Sequence, residues 1–371
     1  MASLGTVSYG LQLNGVRRFV AGTQSATKGM GALNKSLLAV TAATTGVFVG
    51  LNKLAGAAGE FEEGLAAVGA VTKATAGDMK LLKDSAIQAG VATQFSPKAA
   101  VDGLMSLSTA GLTAAQSAKT LIPVLNLAAG SLGQLTTGEA GMAIVGTMNT
   151  YGIAADKAGE VTDKLLRITQ MTNFQTRDFS VGLAKAAAKS NVFGQSLDDT
   201  LVVMGLLRNA NIDASSAATA YTMAVQRVAT DTKSLNTLNK LGVSLYDKQT
   251  GATRGFMDLI IDLKPKLDQL SDATRNKALK DMFGARSIAA YNAVANAQVT
   301  VTRDGEQVVL KGADAIEHLR NNIAGATGVS EEFTDALLNT FEGQKKLLSG
   351  SLETLSIVSG EEFANAFRPF V

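Results

Sequence analysis

Apolar positions recur at helical spacing along most of the chain. In residues 93–116, TQFSPKAAVDGLMSLSTAGLTAAQ, Val101, Leu104 and Met105 share one face of a helix. Lys98, Asp102, Ser106 and Thr109 take the opposite face. From residue 90 this pattern is interrupted regularly by a Gly or Asn, usually followed by an apolar residue and then a capping residue. The stops fall at 90, 111, 130, 152, 173, 194 and 211, separated by 21, 19, 22, 21, 21 and 17 residues, which predicts a train of six helices. Gly, or Asn as second choice, takes the left-handed conformation that ends a helix, and the apolar residue packs back on the last turn. The next Ser, Thr or Asp accepts a hydrogen bond from the free amides of the following helix. The cap candidates are Thr93, Thr113, Asp156, Thr176, Ser196 and Asp213; Gly130 with Leu132 is a looser case. Thr113 to Gln116 reads as a capping box and Ser196 to Asp199 as its acidic counterpart, while Ser96 before Pro97 fits an N-cap with proline in the first helical position.

Some stretches depart from this pattern. LVVMGLL, residues 201–207, is apolar all round and belongs at the centre of its neighbours. Pro123 lies inside the helix that starts after Thr113 and is expected to kink it. A small hairpin or extended loop is predicted over 243–256, and a hairpin around Asp304-Gly305 over 298–311. From Glu331 to Leu355 a helix resumes, with Leu338, Phe341, Leu348, Leu352 and Leu355 in heptad spacing and Lys345 interrupting the seam. The fold class expected is mainly α: an array of short antiparallel helices, one or two small β-hairpins and a longer C-terminal helix. The segments are an N-terminal extended part and apolar helix (1–59), a helical core (60–241), helices with the hairpins (242–315) and the start of a helical rod (316–371). Two helices take about 41 residues, within the range of helical-pair repeats, although no repeat signature accompanies them.

Composition sharpens the picture. Aromatics are 5% of the 371 residues, Trp is absent and there are 37 glycines, which favours close backbone approach over bulky packing. With no cysteine, disulfides, thiolate metal sites and cysteine nucleophiles are excluded. A net charge of +2 from 34 basic and 32 acidic residues carries no basic field for nucleic acid. The first residues lack a secretory signal pattern. Residues 37–58, LLAVTAATTGVFVGLNKLAGAA, are the nearest approach to a membrane span, but their uncharged part stops at Leu51, short of about 20 apolar residues. Gly46 and Gly50 there form a GxxxG pair, which reads as a buried or self-associating helix.

No constellation of catalytic residues stands out, and no catalytic, cofactor or metal residue is assigned. The single histidine, His318, has no second histidine at ligand spacing. No phosphate-binding loop is present, and GMGALN (29–34) lacks the third glycine. The acid pairs Asp198-Asp199, Glu331-Glu332 and Glu361-Glu362 are read as helix starts favoured by the macrodipole. Lys264 with Lys266, and Lys277, Lys280 and Arg286, alternate with Asp262, Asp268 and Asp281 and read as solvated helix faces.

Residues 61–130 carry, in order, Phe61-Glu62, the T-x-F-S-P helix start, the A-G-L turn and a Leu-Asn-Leu-Ala-Ala run. Together with LGVSLYD (241–247) and MFGARSIAAY (282–291), this arrangement resembles the core of bacteriophage tail tape-measure proteins, over roughly residues 60–295. The resemblance implies a structural virion protein, made in the bacterial cytoplasm, that lies in the tail tube, sets tail length and leaves before or with the DNA. It implies tail tube, baseplate or tail-tip proteins and tail assembly chaperones as partners, self-association, and contact of residues 37–58 with the host inner membrane; no cofactor and no specific nucleic acid are implied. The chain is shorter than that family's pattern. At about 1.5 Å per residue, unbroken helix of this length reaches on the order of 560 Å, so either the measured tail is short or this is the front part of a longer protein. The alternatives are an α-helical repeat scaffold binding host proteins and a membrane-active, pore-forming protein built around residues 37–58.

Overall fold

A computed structural model describes residues 45–303 and 305–367. Among these residues there are sixteen α-helices and one two-stranded antiparallel sheet, so the fold is mainly α. Contacts divide them into two units: one formed by the residues up to Leu125 together with those from Asp335 onwards, the other by Asn126–Thr334.

The first unit contains α1 (Thr45–Thr72), α2 (Ala76–Ala92), α3 (Pro97–Thr109), the start of α4 (Ala114–Gly130) and α16 (Phe341–Phe367). Its core is Phe61, Leu65, Val68, Leu82, Leu104, Leu121 and Leu125, joined by Ile357 from the far end of the sequence. Most of the local signals hold here. Ser96 Oγ accepts the Ala99 N–H at 3.3 Å, Gly111 is left-handed at φ +96°, and Thr113 and Gln116 cap each other at 2.9 and 3.3 Å. Gly90 is different. It lies inside α2 rather than ending it, and a Cβ there would meet the Pro97 ring at 2.5 Å. Its carbonyl is also the floor on which α16 rests: a Cβ on Gly350 would come within 2.8 Å of Gly90 O and 3.3 Å of Phe95 O. Thr93 accordingly caps no helix: its hydroxyl donates back to Ala89 O at 2.7 Å and accepts the Phe95 N–H at 3.2 Å.

The second unit holds α5 (Thr137–Tyr151), α6 (Ala158–Met171), α7 (Ala184–Val192, entered through a π turn at Phe179–Leu183), α8 (Leu197–Asn209), α9 (Ala214–Thr230), α10 (Thr232–Lys240), α11 (Phe256–Asp268), α12 (Asp272–Phe283) and α13 (Ile288–Ala295). Strands β1 (Gln298–Arg303) and β2 (Glu306–Lys311) follow, then α14 (Ala313–Ala324) and α15 (Val329–Leu338). All seven residues of Leu201–Leu207 are buried, as their all-round apolarity predicts, and α6, α7, α9, α11, α13 and α14 surround them. Gly152, Gly194 and Asn211 end their helices at φ +64°, +75° and +59°. Ser196 and Asp213 cap the next helices, accepting the Asp199 and Ser216 N–H groups, each at 3.0 Å.

Three expected signals are replaced by tertiary or alternative local bonds. Asn173 is not left-handed: α6 stops at an extended Thr172, and the Asn173 N–H goes to Asn209 Oδ1 at 2.7 Å. Asp156 sits in a 3-10 turn without capping. The Thr176 hydroxyl donates to Gln134 Oε1 at 3.0 Å, leaving Asp178 to accept the Gln175 N–H at 3.0 Å. Conversely, Thr136 and Glu139 form a capping box for α5 at 2.8 and 3.2 Å that the regular beat passes over.

Helix α4 continues through Pro123 to Gly130. The second expected hairpin is present, Gln298 pairing with Lys311 and Arg303 with Glu306, and Gly305 at φ +83° in the connection. Of the first, over 243–256, a single bridge between Tyr246 and Thr253 remains, closed around an Asp247 carboxylate that accepts the Thr250 N–H at 2.7 Å. The helix expected from Glu331 to Leu355 is two helices, because Thr340 Oγ1 accepts the Gly343 N–H at 3.0 Å and starts α16 anew. Of residues 37–58, those before Thr45 lie outside the described part; the rest open α1. Among the described residues no helix is long and apolar enough to cross a membrane.

Two helical glycines provide a matched test of packing. Gly59 in α1 faces open space, whereas a Cβ on Gly350 meets backbone that cannot step aside. Gly59→Ala is expected to stabilise by about 0.5–1 kcal/mol through helix propensity, and Gly350→Ala to destabilise by about 1–3 kcal/mol through overpacking. Urea unfolding of the two variants checks this.

Candidate interaction surfaces

A few ionisable residues tie the helices of the second unit together. Lys164 Nζ donates to both carboxylate oxygens of Asp198 at 2.7 and 2.9 Å. Arg320, on α14, reaches Asp199 at 2.9 Å and Asp258 at 2.5 Å, so one guanidinium ties α8 to α11. Gly255 leaves room for this junction: a Cβ there would stand 2.9 Å from Asp258 Oδ2. The pair Asp198-Asp199 therefore starts α8, as its position suggests, but its carboxylates carry cross-chain ion pairs rather than completing a capping box with Ser196.

Two further acids act at a distance. Asp178 holds Arg208 at 2.9 Å, and Arg208 also donates to Ile212 O at 2.9 Å. The Asp163 carboxylate, 6% exposed, accepts the N–H groups of Gly328 at 2.7 Å and Ser330 at 2.8 Å. It thus caps α15 from 165 residues earlier in the chain.

His318 lies half-buried on α14, where the Asn322 amide donates to its carbonyl at 2.8 Å. Among the described residues no group of three or more His, Asp or Glu side chains is placed to hold a metal ion. Glu331-Glu332 do open α15, whereas Glu361-Glu362 fall in the interior of α16 rather than at a helix start.

Among the described residues, the clearest unpartnered apolar surface is on α16. Phe341, Leu348 and Leu352, members of the heptad seam, are 82%, 60% and 55% exposed. The side that packs inward is made of Gly350, Ser351, Thr354 and Ile357. Three of the five seam residues therefore point away from the unit that carries them, while Leu338 is buried on α15 and Leu355 is half-buried.

The family model for "Phage-related minor tail protein" matches residues 83–284, more than half of the chain, and the chain belongs to this family of phage tail components. Its relatives include the tape measure protein of Pneumococcus phage Dp-1, 27% identical over 300 residues, which are 81% of this chain and 25% of that protein. A probable tape measure protein of Escherichia phage P2 is 25% identical over 271 residues, covering 70% of this chain and 32% of the relative. The chain thus spans about a quarter to a third of the length of these relatives. No solved structure matches.

The Arg320 junction has a measurable weight. Arg320 is 27% exposed and Asp199 18%, so Arg320→Met leaves two carboxylates facing each other in a partly dry site. A loss of about 2 kcal/mol in urea unfolding is expected, and a loss under about 0.5 kcal/mol refutes a structural role for the tie.

Proposed function

We propose that this chain works as a tape-measure protein, which occupies the tail tube lumen, sets tail length and assists passage of DNA into the host. The observation that carries this reading is the likeness, over 300 residues, to a protein named as a tape measure. Production in the host cytoplasm, followed by assembly with chaperones, tail tube subunits and baseplate or tail-tip proteins, belongs to the same proposal. So does contact of residues 37–58 with the host inner membrane. The outward seam of α16 supports self-association in a coiled coil, since apolar residues at heptad spacing on an open helix face are what a second helix buries.

Lengthening or shortening the helical rod of the full-length gene by a set number of heptads, then imaging the tails, tests the ruler. Tail length is expected to follow at about 1.5 Å per residue, and tails of unchanged length would sink the idea. Self-association is tested separately by sedimentation of the chain described here. Leu348→Lys with Leu352→Lys is expected to abolish concentration-dependent association while changing stability by less than about 0.5 kcal/mol, because both side chains are exposed. Association that persists in this variant rules out the seam as its site.

A further inference from the structure

The second unit has an open cleft of about 600 Å³ walled by α11, α12 and α13. Three cations line it, Lys264, Arg275 and Lys280, against a single acid, Asp268. Asp268 is held by Lys264 at 2.8 Å and Arg275 by Asp272, both as short-range pairs along their own helices. Such exposed pairs are weak and exchange readily for a better-placed carboxylate. Lys280 forms no ion pair among the described residues. Asp262, bound to Arg254 at 2.6 Å, and Asp281 are the other acids near these cations. At the floor stands Tyr291, whose hydroxyl is pushed up to about 12 by burial and then by Asp268, so it remains a neutral donor.

Amides supply the second kind of group. The side chains of Asn276, Asn292 and Asn296 line the cleft and make no hydrogen bond among the described residues. Asn292 and Asn296 are exposed, and they also border a second cleft of about 480 Å³, so they form the ridge between the two. A side-chain amide offers a donor and an acceptor side by side, the same pair that a peptide group presents. Residues one helical turn apart rise by about 6 Å, close to the roughly 6.7 Å that separates alternate residues of an extended chain. Ala289 and Ala293 flank the ridge and let a backbone approach.

We propose that this cleft and its asparagine ridge dock an extended, acid-bearing segment of a partner protein, with Asn292 and Asn296 holding its main chain and Arg275 and Lys280 its carboxylates. Charge complementarity selects this occupant: with Asp272 counted, three cations meet two acids, and Lys280 is left without an ion pair among the described residues. Nucleic acid fits less well. The Tyr291 ring is 5% exposed and stacked on Phe283, so the cleft offers no aromatic platform, and acids interrupt the basic track. That the partner is a tail protein rests on the proposed function; the docking chemistry does not, and peptide binding and tail imaging can fail independently.

The test is fluorescence anisotropy with the whole chain and a labelled short peptide alternating valine or threonine with aspartate and glutamate, beside its asparagine/glutamine isostere. The acidic peptide is expected to bind, and the isostere to bind about tenfold more weakly. Arg275→Gln with Lys280→Gln is expected to weaken the acidic peptide about tenfold. Asn292→Ala with Asn296→Ala should weaken both peptides, whereas Lys189→Gln, exposed on α7, which lines neither cleft, should change neither. All variants are checked for native thermal unfolding, since every substituted side chain is exposed or half-buried. Three results overturn the proposal: no binding of the acidic peptide up to about 1 mM, equal binding by wild type and the Arg275/Lys280 variant, or tighter binding of a DNA oligonucleotide that the same variant loses.

Discussion

A helix that is apolar on every side has no face of its own by which to be aligned, and the second unit is assembled around such a helix. Burial alone would let α8 rotate or slide among its neighbours at little cost. Its orientation comes from its ends, where Asp198 and Asp199 reach Lys164 and Arg320, and Arg208 reaches Asp178. The signs also match the macrodipole, acids at the N-terminus and a cation at the C-terminus. Between the ends, Gly205 permits α6 to come close, since a Cβ there would meet Ile168 and Thr172 at 2.9 Å. The charged ends therefore set the register that the apolar middle rewards.

The two units solve the shortage of bulky side chains differently. The first relies on backbone proximity, with Gly90 and Gly350 bringing α2 and α16 together. The second strings four aromatics into a run: Tyr221 meets Phe256 with ring centroids 5.6 Å apart, Phe256 meets Phe283 at 6.2 Å, and Phe283 stacks on Tyr291 at 5.4 Å, beside a separate Phe174–Phe179 pair. This run links α9, α11, α12 and α13. Near its start, a set of hydroxyls stands in for bulk: Tyr151 donates to Thr200 at 2.9 Å, and Thr200 lies 3.0 Å from Ser190. Directional bonds of this kind specify one arrangement where small apolar side chains alone would permit several.

What was legible in the sequence is what is decided within a few residues. The caps at Ser96, Thr113, Ser196 and Asp213, and the left-handed stops at Gly111, Gly152, Gly194 and Asn211, depend only on local geometry. Gly90, Asn173 and Thr176 carry the same residue types but find partners far along the chain, in Pro97 and Gly350, Asn209, and Gln134. The seam of α16 was visible as a heptad, yet its direction was not. The helix buries glycine, serine and threonine instead, residues that hydrophobic patterning does not register as a core face. The basic residues around Lys264 and Lys280 were visible as alternating charge. The asparagine ridge beside them was silent, because amides carry neither charge nor hydrophobicity and acquire meaning only when the fold sets them one turn apart.

The Asp163 cap has a consequence in time. A carboxylate emerging from the ribosome at residue 163 has its partners at 328 and 330, and synthesis runs at about 5–20 residues per second, so it waits about 10–30 s for them. Through that interval water supplies the donors to the Asp163 carboxylate, and the side of the second unit where α15 will sit stays open to it. The side of the second unit that α15 covers is thus completed late in synthesis, whatever the earlier helices have already formed.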